Sequence, residues 1–280
     1  MKTEQIKQIT SKAIEELVAA LNAGRSEALT NYLAAMGRFH RYSFFNAMLI
    51  ARACPHATRV AGYQTWKTLG RYVKKGEKGI MILAPVFRRR TQENNEAENA
   101  KPDCNDSRAL AGFRAVYVFD ESMTGGSPVP QIGTFGGDPG VHRERLEQFV
   151  REQGIALEYS ADIAPAKGVS EGGEIKLLPG QSPAETVATL VHELAHERLH
   201  RAERRANTTK RLRETEAEAV AFVVCQAIGL ETGTASADYI SLWNGDAAVL
   251  FESLEFVQRT AAEIIAAIMP DKPLPAEGGG

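Results

Sequence analysis

The stretch TVATLVHELAHERLH, Thr186 to His200, places histidines at 192, 196 and 200 and a glutamate at 193. In a helix, His192 and His196 lie one turn apart on the same face, near enough for two imidazoles to hold one ion. Imidazole nitrogen suits zinc. Glu193 then sits at the flank of the pair, placed to take a proton from a water on that ion, as metallopeptidase chemistry requires. The apolar run VATLV before the first histidine makes the helix a buried one. A buried histidine stripe without an ion would need several hydrogen-bond partners to offset its desolvation, so spacing and setting together point to a zinc site.

A catalytic zinc takes a third protein ligand and keeps one position open. The candidates lie downstream in LRETEAEAVAFVVCQAIGL. Glu216 shares a helical stripe with Val220, Val223, Val224 and Ala227, the face a packed helix buries, and a carboxylate there needs a partner such as the ion. Glu216 is the first choice and Glu218 the next, with Glu214 weaker in apolar companions. A capping or surface glutamate is the alternative reading. His200 stands two turns from His192, at 5.4 Å of rise per turn, which places it beyond the same ion in an outer or structural role.

The elements that must position these residues are legible around them. Ser182, Pro183 and Glu185 form a capping box with proline in the first helical position, fixing where the histidine helix begins. Upstream come a helix in VHRERLEQFVREQ closed by Gly154, a short strand in IALEY, and a hairpin over AKGVSEGGEIKLLPG. The strand within GEIKLLPG is a candidate edge for an extended peptide, its alternative being simply to close the sheet. Nearer the N-terminus, helical spacing recurs over Ile6 to Leu21 and from about Ser26 to Gly37, and Ser43 can cap a third helix. IMILAPVF reads as a buried strand and GFRAVYVFD as its partner, with Phe113, Ala115, Tyr117 and Phe119 alternating against Arg114, Val116, Val118 and Asp120. Residues 88–111 between them are polar and long, a mobile insertion. The Gly- and Pro-rich TGGSPVPQIGTFGGDPG marks a boundary near residue 137. The expected class is α+β, with an N-terminal α+β domain over 1–136, a mainly helical domain with a small sheet over 137–269, and a disordered tail over 270–280.

At 280 residues, 44% hydrophobic and 24% charged, the chain can bury a sizeable core. Its charged start and the lack of an 18-residue apolar run support neither a secretion signal nor a membrane span, so the expected location is the cytoplasm. Cys54, Cys104 and Cys225 are scattered and form no Cys-x-x-Cys pair, which excludes a disulfide framework or thiolate zinc site. The net charge of -2 conceals +11 over residues 1–90 and -13 over 91–280. A basic half joined to an acidic one suggests a polyanion-binding module beside a part with another task.

In the basic half, Arg38, Arg41, Arg59, Arg71, Lys74, Lys75 and Lys78 interleave with Phe39, Tyr42, Tyr63, Trp66 and Tyr72. Single-stranded nucleic acid calls for this pairing, because cations track phosphates while aromatic faces stack on unpaired bases. The alternative for any one aromatic is a place in the core. The acidic part, repelled from phosphates, would be left facing protein partners that meet the same DNA, such as a restriction enzyme or a repressor.

The segment YSFFNAMLIARACPHATRVAGYQTWKTLGRYVKKGEKGIMILAPV, followed by VYVFD, resembles the N-terminal single-stranded-DNA-binding domain of ArdC-type plasmid antirestriction proteins, found also on conjugative-plasmid primases of the TraC type. ETVATLVHELAHERLH with ETEAEAVAFVV resembles the zincin-like metallopeptidase domain of the same proteins, related to the ImmA and IrrE group. The resemblance implies DNA binding by the first domain, zinc on His192, His196 and Glu216, Glu193 as general base, and an antirestriction role in a mobile element or its bacterial host. YSFFN departs from the family pattern, where Trp commonly follows the Ser, as does FDESMTGG, where Gln-Thr is more usual. Two further readings stand beside this one: a non-catalytic DNA-coating protein whose zinc site is structural or vestigial, and a regulatory protease cleaving a DNA-bound repressor.

Overall fold

The computed structural model describes residues 3–23, 27–89, 108–126, 139–230 and 247–270. Three helices open the chain, α1 (Thr3–Asn22), α2 (Glu27–Arg38) and α3 (Phe44–Ala53), the last capped by Ser43, whose hydroxyl accepts from the Asn46 amide. A three-stranded antiparallel sheet follows in the order β1-β4-β3, from β1 (Val60–Gly62), β3 (Ile80–Arg89) and β4 (Arg108–Asp120). The short α4 (Tyr63–Thr68) and β2 (Arg71–Val73) come between β1 and β3, and β2 pairs with β5 (Thr124–Gly126). The strands reach to Arg89 and resume at Arg108, so they take in both ends of the insertion expected over 88–111, and the rest of it lies outside the described residues. So do the expected boundary near 137, Cys104, and residues 271–280 of the tail.

Two polar side chains tie this sheet to its surroundings. Asn46, buried in α3, donates to the Leu83 carbonyl and accepts from the Leu83 amide, both at 2.9 Å. It thereby satisfies two backbone groups of β3 that a buried strand could not leave unpaired. Asp120 closes β4 by accepting from the amides of Thr58, Arg59 and Ser122 at 2.8, 3.2 and 3.0 Å. Burial pushes its pKa upward, but these bonds outweigh burial and hold the carboxyl below the ordinary aspartate value.

The remaining elements are α5 (Val141–Glu152), β6 (Ala156–Tyr159), β7 (Gly168–Ser170), β8 (Glu174–Leu177), α6 (Pro183–Leu199), α7 (Ala202–Ala206), α8 (Lys210–Ala227) and α9 (Ala247–Ile268). The capping box at Ser182 and Glu185 forms, with proline at the start of α6. Strand order in the small sheet is β6-β8-β7, with β6 parallel and β7 antiparallel to β8. The strand of GEIKLLPG is therefore the central one, the second of its two alternative roles, and β7 is an edge.

The main core runs from both ends of the chain. Leu29, Leu33 and Met36 of α2 and Phe44 of α3 share one buried cluster with Leu190 and Leu194 of α6, Val220 and Val224 of α8, and Leu254 of α9. Where α2 meets α8, a Cβ on Gly37 would come within 2.7 Å of the Val223 carbonyl oxygen, so the crossing requires glycine. The second cluster, around Ala47, Ile50, Ile80, Ile82 and Val118, holds α3 to the β1-β4-β3 sheet. Among the described residues, no helix is long and apolar enough to cross a membrane.

Candidate metal centre and nucleic-acid face

Helical periodicity on α6 brings His192 Nε2 and His196 Nε2 to 3.1 Å. The third group at the pair comes from the second turn of α8: Glu214 Oε2 stands 3.5 Å from each of these nitrogens. Metal–ligand lengths of about 2.0–2.2 Å give a tetrahedral site edges of about 3.3–3.6 Å, close to this triangle. Burial pushes both histidines toward the neutral form; His196, further depressed by His192, is pushed down to about 4, which leaves ring lone pairs for a cation. Glu193, buried beside them, is pushed up to about 7 by burial and then by the charges of Glu214 and Glu197. Burial first and the two neighbouring carboxylates second disfavour its ionised form, and a divalent cation beside it would offset both. Two imidazoles and a carboxylate suit zinc among such ions.

Sequence reasoning chose Glu216 as the third ligand, and the structure brings Glu214 to the histidines instead. Residues two apart on a helix point about 200 degrees apart, so α8 sends the two carboxylates to different neighbours. Glu216 is buried, as its stripe required, but its partners are protein groups. It accepts from both Arg204 guanidinium nitrogens at 2.7 Å, from His200 Nε2 at 2.9 Å and from the Ser253 hydroxyl at 2.5 Å. Burial raises its pKa, but His200, Arg204 and Ser253 outweigh that and hold it below the ordinary value. Glu218, the next choice, is exposed one turn beyond Glu214. His200 has no exposed side-chain surface and places Nδ1 3.0 Å from His196 Nδ1.

Strand β7 presses on the same site. A Cβ on Gly168 would fall 2.8 Å from Glu193 Cγ and 2.9 Å from its Oε1, so the bare backbone lets the carboxylate lie against the strand. One turn along α6, Glu197 accepts from the Ser170 hydroxyl at 2.6 Å and from the Gly172 and Gly173 amides at 2.9 and 2.8 Å. Those bonds fasten the β7–β8 turn to α6, with both glycines at positive φ. Beside them lies a cavity of about 570 Å³ bounded by Ile155, Ser170, Gly172, His196, Glu197 and Arg201, among others.

The basic aromatic half divides differently from its expected DNA-binding set. Phe39 and Trp66 are buried, the Trp66 indole donating to the Phe119 carbonyl at 2.9 Å, and neither is available to stack on a base. Tyr42 is half-buried, its hydroxyl donating to the Val60 carbonyl. Arg38 donates to the carbonyls of Ala57 and Pro55, Arg71 to Thr124 Oγ1 and two carbonyls, and Lys74 to the Ser122 carbonyl. Arg59 faces Glu121 at 3.7 Å. These side chains brace the fold first. Tyr63 and Tyr72 are exposed, at 52% and 63%, and Arg41, Lys75 and Lys78 lie at the surface.

Two further aromatics belong with the exposed tyrosines: Tyr117 and Phe113 of β4, exposed to 59% and 39%. β1 ends with Gly62 opposite Val118, so Tyr63 leaves the sheet at the level of Tyr117. Gly79, which follows Lys78, lies against the Tyr117 Cβ and the Phe119 ring, an added Cβ falling 2.9 and 3.1 Å from them. The Tyr72 ring lies directly on Gly125, where an added Cβ would come within 2.9 Å of it. The exposed Tyr63, Tyr72, Phe113 and Tyr117 rings and the exposed Lys75 and Lys78 are of the kinds that take unpaired bases and phosphates.

Residues 3–119 match the family model of the N-terminal domain of anti-restriction factor ArdC. An uncharacterized Bacillus anthracis protein, pXO2-81, is 24% identical over 302 residues that take in 94% of this chain and 51% of its own. The chain thus spans about half the length of that curated relative. Two crystal structures of the antirestriction ArdC protein from plasmid R388, one metal-free and one Mn(II)-bound, superpose with TM-scores of 0.53 and 0.52 at 19% identity, covering 94% of this chain and 98% of theirs.

Proposed function

We infer the function from one premise: this is an ArdC-type chain, with the ArdC N-terminal domain over residues 3–119 and the ArdC fold. On that premise it is an antirestriction protein that binds single-stranded DNA through the aromatic surface of β4 and its neighbours. It cleaves a protein bound near that DNA at a divalent metal centre, zinc by its donor set. The observation that carries the hydrolytic part is the 3.1, 3.5 and 3.5 Å triangle of His192, His196 and Glu214 with buried Glu193 at its side. A Mn(II)-bound form of the R388 protein supports a divalent ion in this fold.

When bound, the ion supplies polarisation of a carbonyl and a lowered pKa for water. His192, His196 and Glu214 hold it. Glu193 takes the proton from the attacking water and returns it to the departing peptide nitrogen. Edge strand β7, fastened by Glu197, offers backbone groups to an extended peptide. The aromatic surface brings the chain to DNA and so raises the local concentration of proteins bound there.

The test incubates the zinc-loaded chain and its Glu193→Gln variant with a restriction endonuclease and single-stranded DNA, and follows the endonuclease by mass spectrometry. Wild type is expected to produce fragments, and Glu193→Gln to produce them about 10²- to 10⁴-fold more slowly, the usual contribution of a general base. Equal protection of DNA by both proteins, with an intact endonuclease throughout, would replace this reading with that of a DNA-coating protein.

A further inference from the structure

We propose that His200 and Glu216 are positioning residues that fix His196 in its Nδ1–H tautomer and so keep its Nε2 lone pair ready for a metal ion. The proposal rests on the reading of His192, His196 and Glu214 as a metal centre. It starts from the two nitrogens of His196, which have different neighbours. Nε2 faces His192 and Glu214, while Nδ1 lies 3.0 Å from Nδ1 of His200. Two Nδ1 atoms at that distance share one proton, and which ring carries it decides what His196 Nε2 can do.

The far side of His200 settles the question. Its Nε2 is 2.9 Å from Glu216 Oε2, and an ionised carboxylate only accepts, so His200 Nε2 carries hydrogen. Glu216 already has its countercharge: Arg204 engages both oxygens at 2.7 Å and is itself held over the Phe256 ring, 4.0 Å from the centroid. The Ser253 hydroxyl donates to Oε1. The enclosed His200 ring thus meets Glu216 at one nitrogen and His196 at the other, and an imidazole that spends its hydrogen at Nε2 is an acceptor at Nδ1. His200 Nδ1 therefore keeps its lone pair and accepts from His196 Nδ1–H. Neutral His196 then has no hydrogen on Nε2, the atom directed at the triangle.

A neutral imidazole in water favours the opposite tautomer, with hydrogen on Nε2, which would first have to be removed before a metal could bind. The relay from α9 and α7 through α8 to α6 holds the site in the ligating form. It also explains why Glu216, buried and ionised beside the metal centre, is not a ligand: it acts on the ion through two histidines. Groups that orient a ligating histidine through its other nitrogen typically affect metal affinity about 10- to 100-fold.

The experiment has two arms on the full-length chain. In the first, histidine 15N chemical shifts and long-range proton couplings of the metal-free protein are expected to show His196 as the Nδ1–H form; the Nε2–H form there would overturn the proposal. In the second, Mn(II) is titrated calorimetrically into wild type, His200→Phe and His200→Gln. His200→Phe is expected to bind about 10- to 100-fold more weakly than wild type. His200→Gln, which keeps one acceptor and one donor, should recover part of the loss. Equal affinity in all three overturns the positioning role and leaves the metal centre standing. A wild type that binds no Mn(II), with His196 still in the Nδ1–H form, defeats the metal reading and supports the tautomer assignment. If His200→Phe fails to fold, the wild-type tautomer and His200→Gln affinity decide.

Discussion

Glu216→Ala is expected to destabilise the metal-free protein by about 3–5 kcal/mol, the loss typical when one partner of a buried ion pair is removed. The substitution strands the Arg204 guanidinium, the His200 Nε2–H and the Ser253 hydroxyl around a hole where both carboxylate oxygens were bonded. Against a total stability of about 5–15 kcal/mol for a typical protein, that loss is large. Glu214→Ala, two residues away, removes a side chain 49% exposed and should change metal-free stability by no more than about 0.5 kcal/mol. Denaturant midpoints measured in chelator compare them. Similar midpoints for the two variants would contradict the separation of these carboxylates into a structural and a metal-facing role.

The second large effect is expected at the aromatic surface. Stacking on an aromatic ring contributes about 1–3 kcal/mol per base, so the double variant Tyr72→Ala, Tyr117→Ala should lose about 2–6 kcal/mol of affinity for single-stranded DNA. That corresponds to about a 30-fold to 10⁴-fold weaker complex, since about 1.4 kcal/mol is tenfold. The salt dependence should stay near that of wild type if the rings meet bases, since stacking releases no counterions. Lys75→Ala with Lys78→Ala should instead flatten it. Fluorescence anisotropy with an oligo-dT probe at two salt concentrations reads both slopes. Wild-type affinity in the tyrosine variant would move the DNA to another surface.

Much of this was legible in the sequence where local spacing carries the information. The histidine helix, its cap at Ser182, the strands around Ile82 and Tyr117 and the hairpin before α6 all follow from periodicity and turn chemistry. The same reasoning placed Glu216 on a buried stripe, which it occupies. It could not supply the partner, because Arg204 comes from α7 and Ser253 from α9, and no period in α8 reports what other helices bring. Glu214 reaches the histidines from a less apolar face, where a stripe argument has least to say. Trp66 illustrates the same limit from the other side: an aromatic among lysines and arginines suits DNA or core equally well until the Phe119 carbonyl is found at its indole nitrogen.

On β4 the alternation was visible but its direction was not, since apolar residues occupy both faces. Val118 and Asp120 turn inward, the latter because three amides satisfy its carboxylate, leaving Phe113 and Tyr117 outward. Whether the strand of GEIKLLPG is an edge or closes the sheet is a question of topology that the sequence leaves open. β8 gains a parallel neighbour, β6, from before the hairpin, and parallel pairing of distant segments leaves no local mark. Helices from the N-terminal basic part share a core with α8 and α9, a long-range packing that charge asymmetry along the chain does not encode.

The most direct measurement is the metal content of the full chain after zinc loading and removal of free ion, for wild type and Glu214→Ala. Wild type should retain one zinc per chain, and Glu214→Ala, still folded, should lose it by falling to two imidazole ligands. Wild type without zinc, or Glu214→Ala with a full equivalent, would contradict a metal centre built from His192, His196 and Glu214.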